Sequence, residues 1–399
     1  MLSDLSLGER RGFWGAVIVC VAIFFADASH SVVIPIFPAF AEGLGADVAM
    51  IGVYGSAVGV AMVLLSIPIG SISDRIGRKG VMMLGYALFI AVPMIYIVSQ
   101  APIHLLVARL LLGIAQGSTF SIGFIWISES VPAKRRALIQ GLYMTMMGSG
   151  FTLGPILGGY ATTTWGYAAA FIISSALGAA GLSCILFTGK EPKREARQSE
   201  SVNLTRSLAN PRVLAAGVSN FVSNLMYSAL MTFYPLYGAF LGLSSEEIGL
   251  GFTVRGLLST VIRFPAGTAS SGRTAFRLMT ISLVLSAAMY FLLSGSTSLS
   301  SLLLILAGLG IVYGVFLTSG NVYVTQKASP EHRGAAMGVY SSFGNVSNVV
   351  SPLVLGGVAE IWGLEAVFRV AGVIAALGIV GILLLSRGKA AEDSLGEGP

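Results

Sequence analysis

Twelve apolar runs, each about as long as a bilayer is thick, take up nearly all of the 399 residues. They lie near 13–38, 49–72, 80–99, 103–128, 137–162 and 166–188, then 212–236, 247–270, 276–294, 299–325, 335–360 and 364–386. Crossing the hydrocarbon layer takes roughly 20 apolar residues in a helix. Lipid offers backbone groups no partner, so such runs must satisfy their own hydrogen bonds. The chain is therefore expected to be an all-α integral membrane protein with twelve transmembrane helices. Charged residues make up only 11% of it and the mean hydropathy is +0.83, far from the soluble average. Fifty glycines suit helices whose backbones pack closely.

Several function classes are excluded on the same grounds. No stretch outside the runs is long enough for a catalytic domain, no G-x-x-x-x-G-K-[ST] phosphate loop occurs, and no nucleophile stands beside a base. An enzyme and a bound cofactor are not expected. Cys20 and Cys184 both fall within spans, so neither a disulfide framework nor a metal site is indicated. Arg10 and Arg11, an apolar run and "ADA" at 26–28 imitate a signal peptide, but apolar sequence resumes at Val32 and the segment has a partner later in the chain.

Lys and Arg give the expected orientation. With the N-terminus inside, the inner segments hold Arg10 and Arg11; Arg75, Arg78 and Lys79; Lys134, Arg135 and Arg136; Lys190, Lys193, Arg194, Arg197, Arg206 and Arg212; Arg273 and Arg277; Lys327 and Arg333; Arg387 and Lys389. The remaining four of the 24, Arg109, Arg255, Arg263 and Arg369, lie within spans, which leaves every outer loop without a cation. Both termini are expected on the cytoplasmic side of the cell's inner membrane. The pI near 9.4 follows from basic loops facing anionic headgroups and requires no nucleic acid.

The two halves match at an offset of 197 or 198. "VPAKRRALIQGLY" at 131 aligns with "SPEHRGAAMGVY" at 329, and "GPILGGYATTTWGYAAAF" with "SPLVLGGVAEIWGLEAVF". The expected organisation is a six-helix bundle at 1–188, a cytoplasmic linker at 189–211, a second bundle at 212–387 and a short tail at 388–399. Two pseudo-symmetric bundles with a site between them near mid-membrane form a known transporter plan. Ionisable groups survive in the first copy alone: Asp27 becomes Asn224, His30 becomes Tyr227, Asp74 becomes Ser271 and Arg109 becomes Leu306. The first half is thus expected to handle ions, the second to shape substrate contact.

At the inner end of span two, "GSISDRIGRKG" places Gly70, Asp74, Arg75, Gly77, Arg78 and Lys79 in the pattern G-x-x-x-D-R-x-G-R-[KR]. Here the chain resembles the major facilitator superfamily, which implies two six-helix bundles and alternating access. Asp74 can face a helix N-terminus and pair with Arg78, and Glu129 with Arg135 stands at the same face. The set reads as an ionic latch; positive-inside topology alone accounts for Arg75 and Lys79 but not for Asp74 or the glycines.

Span four carries Arg109, Gly113 and Gly117 on one face, similar to the superfamily's R-x-x-x-G-x-x-x-[GA] motif, which is associated with proton transfer. An Arg inside a span costs about 2.5–3.5 kcal/mol on insertion scales and so needs an anion, a wet cavity or a route to the surface. By helix rise, Asp27 lies roughly 16 Å and Arg109 roughly 9 Å below the outer ends of their spans, a gap a guanidinium can cover. Asp27, ahead of Pro35 and Pro38, stands where the superfamily often has an acid before a P-x-x-P element. It reads as a proton carrier, or as a hydrogen-bonding brace; His30, one turn on, either relays the proton or holds the carboxylate.

In span five, Gly150, Gly154, Pro155, Gly158 and Gly159 resemble G-x-x-x-G-P-x-x-G-G, a motif associated with the drug:proton antiporter branches. Pro155 removes a helix hydrogen bond and the glycines thin the helix, so this span is expected to be a hinge. The second copy, "NVVSPLVLGG", is read with Asn348 and Ser351 at the first two glycine places. Span seven shows a polar stripe, Asn220, Asn224, Tyr227 and Tyr234; with Tyr313 and Phe316 on span ten and Asn345 and Asn348 on span eleven it reads as a cavity for an amphiphilic compound, or as packing. Arg255, mid-span, would suit an anion and repel a cationic drug.

The resulting expectation is a proton-coupled antiporter that exports a small amphiphilic or drug-like compound. Its expected partners are that compound, protons and the bilayer, with the proton gradient as energy source and a monomer as the working unit. The alternative is a transporter of a small organic anion read by Arg255. A receptor on the same scaffold would carry a long soluble extension, and the tail after Arg387 is expected to be too short for one.

Overall fold

The computed structural model describes residues 7–189, 191, 211–327 and 333–387. Most of the 189–211 linker and the whole 388–399 tail lie outside the described residues, with the linker cations Lys190, Lys193, Arg194, Arg197 and Arg206 and the tail cation Lys389.

The described residues form α-helices joined by short turns, with no strand among them. In chain order these are α1 (Leu7–Val33), α2 (Phe37–Gly43), α3 (Val48–Ile76), α4 (Arg78–Val98), α5 (Pro102–Gln116), a π-helical turn (Gly117–Ser121), α6 (Ile122–Ser130), α7 (Ala133–Trp165) and α8 (Tyr167–Phe187). There follow α9 (Pro211–Phe240), α10 (Ser245–Ala269), α11 (Gly272–Ser294), α12 (Leu299–Lys327), α13 (Arg333–Trp362) and α14 (Leu364–Arg387). Taking α5, the π turn and α6 as one segment and setting aside the short α2, twelve segments have membrane length.

Nine of the twelve are long and apolar enough to cross a bilayer by length and composition, among the described residues. The other three, α7, α10 and α13, have the length but are more polar. They carry the Gly150–Gly159 run, Arg255 and the Asn345–Asn348 pair. A membrane helix is free to be that polar only where protein, not lipid, surrounds it. Large apolar side chains on the outside, such as Leu64, Phe187, Phe264, Leu304, Ile361 and Leu377, supply the lipid-facing surface.

The first expected span, 13–38, ends early. Residues 34–36 form a turn because Pro35 has no N–H to continue the helix, and Pro38 sits in the first turn of α2, where none is needed. Arg369, placed within a span by sequence, bonds Glu365 one turn earlier at the start of α14, at 2.6 Å.

The helices divide into two compact units. The first comprises the described residues of 1–197 together with 238–257; the second comprises those of 198–237 and 258–399. The first therefore also holds the N-terminal half of α10, which carries Arg255. Within it α1 is the central strut, buried along Ala16–Ala28 and packed on α7 and α8. Ser29 and Ser174 fasten α1 to α8 reciprocally, each hydroxyl donating to the other's carbonyl at 2.7 Å.

Candidate functional site

The ionic cluster after α3 is built around Arg78. Its Nη1 donates to Asp74 Oδ1 at 2.9 Å and to Ser73 Oγ at 2.8 Å, while Nη2 and Nε grip Glu129 at 3.0 and 3.3 Å. Glu129 closes on Arg78, and Arg135 lies over the Phe13 ring at 6.0 Å. Arg75 is exposed. Gly77 joins α3 to α4 with φ +97°, a conformation suited to glycine.

Glu191, which sequence reasoning did not single out, completes this cluster. Its carboxylate accepts from the backbone N–H of Arg78 at 3.1 Å and of Lys79 at 2.6 Å, the first turn of α4. Lys79 Nζ in turn donates to the carbonyls of Leu186 and Thr188 where α8 ends. An anion on a helix N-terminus and a cation on a C-terminus are both favoured pairings. A Cβ at Gly77 would come within 2.7 Å of the Glu191 carboxylate, a second reason for glycine there. Replacing Glu191 by Ala is expected to cost about 1–2 kcal/mol, the range of lost helix caps. A thermal melt of the detergent-solubilised protein should then fall by a few degrees; an unchanged melt counts against the clasp.

Asp27 lies in α1 at 8% exposure, against the glycine run of α7. Gly150, Gly154 and Gly158 are one turn apart and bear on the α1 carbonyls of Phe24, Ala28 and Val32 in turn. A Cβ at Gly150 would lie 3.2 Å from Asp27 Cβ. The opposite side of α7 meets α10 within the same unit. There Gly159 faces Ser245, Gly249 faces the Pro155 carbonyl, and Thr253 Oγ1 donates to the Thr152 carbonyl at 2.8 Å. The motif thus places backbone against backbone on two sides of α7.

Arg109 turns to a different partner from the one its depth invited. Its guanidinium stacks on Phe37 of α2, 3.3 Å from the ring centroid, and its Nε is buried without a hydrogen-bond partner. His30 Nδ1 is likewise buried and unpartnered. Further along the same segment the π turn at 117–121 offers the Phe120 carbonyl, which accepts from Tyr143 Oη at 2.7 Å. The repeat partner of that tyrosine, Tyr340, faces an α12 without a π turn, and its buried Oη has no hydrogen-bond partner.

In the second unit the polar stripe of α9 is joined to α13. Asn220 Nδ2 donates to the Tyr340 carbonyl at 2.8 Å, and Asn224 Nδ2 bonds back to the Asn220 carbonyl and Oδ1 at 2.9 and 2.8 Å. Tyr227 stacks on Tyr313 of α12, centroids 5.0 Å apart and planes 18° from parallel. Tyr234 and Phe316 are buried, Asn348 is half-buried and Asn345 exposed. Arg255, in the first unit, is 3% exposed.

The seam also settles the repeat register. Ser347 Oγ donates to the Phe221 carbonyl and Ser351 Oγ to the Leu225 carbonyl, each at 2.8 Å. Adding 197 to the contacts Gly150–Phe24 and Gly154–Ala28 reproduces both pairs. The counterpart of Gly150 is thus Ser347, not Asn348, because drift at the Gly356–Gly357 pair slides a purely textual alignment by one residue.

A duplicated set of membrane-length helices, with an ionic cluster after the second span and a buried acid in the first, defines a multi-pass membrane transporter. The family model described as Major Facilitator Superfamily matches residues 19–239 and 216–398, and the chain belongs to that superfamily of transporters. It is similar to the multidrug resistance protein MdtL of Klebsiella pneumoniae, 26% identical over 87% of this chain and 88% of that protein. It is also similar to multidrug resistance protein 1 of Bacillus subtilis, 25% identical over 91% and 94%. Among solved structures, a bacterial homologue of the human lysosomal transporter Spinster, in an inward-facing and unoccupied conformation, shares the fold with a TM-score of 0.77 at 16% identity, covering 96% of this chain and 98% of that one.

Proposed function

We propose that this protein couples the downhill movement of protons to the export of a small amphiphilic compound by alternating access, with both termini cytoplasmic. The observation that carries the reading is Asp27, an ionisable group buried in an apolar helix and seated on the glycine seam of α7. An acid in such a place costs free energy and is a functional group by default. Arg109, held on Phe37 near the same helix, tunes the site, and the Arg78 cluster latches one face of the first unit. The similarity to two multidrug resistance proteins supports an amphiphilic cargo, as do the amide and stacked-tyrosine groups of the second unit. The test is reconstitution into vesicles with a pH-sensitive dye inside, recording proton flux against a panel of cationic, neutral and anionic compounds. Flux evoked by none of them, across an imposed pH gradient, rejects the reading.

A second reading rests on Arg255, whose burial would suit an organic anion. Under the main reading, Arg255→Ala leaves transport of a cationic probe such as ethidium within about threefold, since a buried cation only repels such a cargo. Loss of anion transport in that variant, with cations never carried, favours the second reading instead.

A further inference from the structure

Inside the first unit, α1, α4, α5 and α8 line a cavity of about 10 Å³, room for one water molecule. Val33, Val92 and Leu112 give it apolar walls, but two of its lining residues each carry a buried polar atom without a hydrogen-bond partner, His30 Nδ1 and Tyr96 Oη, the tyrosine being 0% exposed. Ser29 and Ser174 also line it and satisfy one another. Pro93, on the same wall, has no N–H to give the Phe89 carbonyl one turn back. Cavities that stay empty are apolar, and a buried polar group left unmade costs about 1–3 kcal/mol. This cavity is polar where it counts.

We propose that one water molecule sits here, bonded to Tyr96 Oη and His30 Nδ1, and passes protons between the Val33–Tyr96 end of the unit and Asp27. The inference rests on the reading of Asp27 as proton carrier. A proton arriving on the water moves to His30 Nδ1; the imidazolium releases its Nε2 proton, which the Asp27 carboxylate takes up, and the water and the ring are left neutral. Tyr96 orients the water and carries no proton of its own, so it is a positioning residue. The charged and titratable groups around His30 are Asp27 on its own helix, Tyr96 on α4 and Arg109 on α5, whose charge bears on both His30 and Tyr96. From α7 come the glycines and from α8 the hydroxyl of Ser174.

The test uses the full chain in vesicles loaded with pyranine, an imposed pH gradient and ethidium as probe. Tyr96→Phe removes one hydroxyl, and Val33→Ile keeps both polar groups but fills the space with a methylene. Both are expected to slow ethidium-coupled proton flux about tenfold or more and to change its pH profile, with ethidium binding unaltered. A merely structural Tyr96 would move stability and not the pH profile. Wild-type flux and pH profile in both variants overturn the water relay. If those variants are normal while Asp27→Asn is inactive, only the relay fails; if Asp27→Asn still couples, the functional reading beneath it fails.

Discussion

Asp27→Asn is expected to reduce proton-coupled transport about 100-fold or more, the scale on which removal of a positioned proton-transfer group acts. The substitution is nearly isosteric, so the fit against Gly150, where a Cβ would be 3.2 Å from that of Asp27, is kept. What disappears is the capacity to take up and release a proton. Binding of ethidium, measured without a gradient, should stay within about threefold, and its dependence on pH should flatten, because the amide does not titrate. Asp27→Glu is expected to recover part of the flux: it restores the carboxyl but adds a methylene where α7 has no room, a cost of about 1–3 kcal/mol for overpacking. Undiminished proton-coupled transport by the Asn variant would falsify the role of Asp27, whatever the fate of Glu.

Much of this architecture was legible because lipid leaves a chain so few options. Apolar length marked twelve spans, and the repeat marked two halves. The Arg78 cluster was legible in outline, since an acid and a base four residues apart at a helix end have one another as obvious partners. Its other members show where sequence reasoning stops. Glu191 sits in a stretch that reads only as a charged linker, and its contact spans 113 positions of chain. Nothing local announces that a free carboxylate will find the N-terminus of α4.

The interior of the first unit was less legible for a different reason. Spacing put Arg109 within reach of Asp27, but reach along helix axes does not say which way a long side chain turns, and the Phe37 ring was hidden by the assumption that α1 ran on to residue 38. The π turn at Gly117–Ser121 leaves no mark on periodicity either, since one extra residue in a uniformly apolar helix changes no pattern that can be counted. The same uniformity concealed the His30–Tyr96 cavity: a tyrosine near the end of a span looks like an interfacial anchor until its neighbours are known.

Gly158→Ala is expected to destabilise the protein by about 3 kcal/mol or more, the upper end of overpacking costs, and Gly158→Leu to prevent assembly. A Cβ at this position would overlap the Val32 carbonyl, 2.8 Å from its carbon and 3.0 Å from Val32 Cα. All three are backbone atoms, so no rotamer change relieves the clash and α1 must move bodily away from α7. Gly141, on the same helix with nothing within 4 Å of its would-be Cβ, supplies the control. Gly141→Ala should be neutral or gain up to about 1 kcal/mol of helix propensity. The second half shows what the seam becomes when side chains are admitted: Ser347 and Ser351 replace Gly150 and Gly154, and their hydroxyls bond the α9 carbonyls. Bonds of about 1 kcal/mol each pin α9 to α13 in one register, so Ser351→Gly should cost little more than one such bond. Gly150 and Gly154 carry no hydroxyl for a bond of this kind; close backbone contact holds α7 against α1 there, and α1 is fastened elsewhere by Cys20 to the Ile139 carbonyl and by the Ser29–Ser174 pair. Apparent melting temperatures of the four variants by fluorescence-detected size exclusion test the ranking, and a Gly158→Ala protein as stable as wild type would remove the close-packed seam from the mechanism.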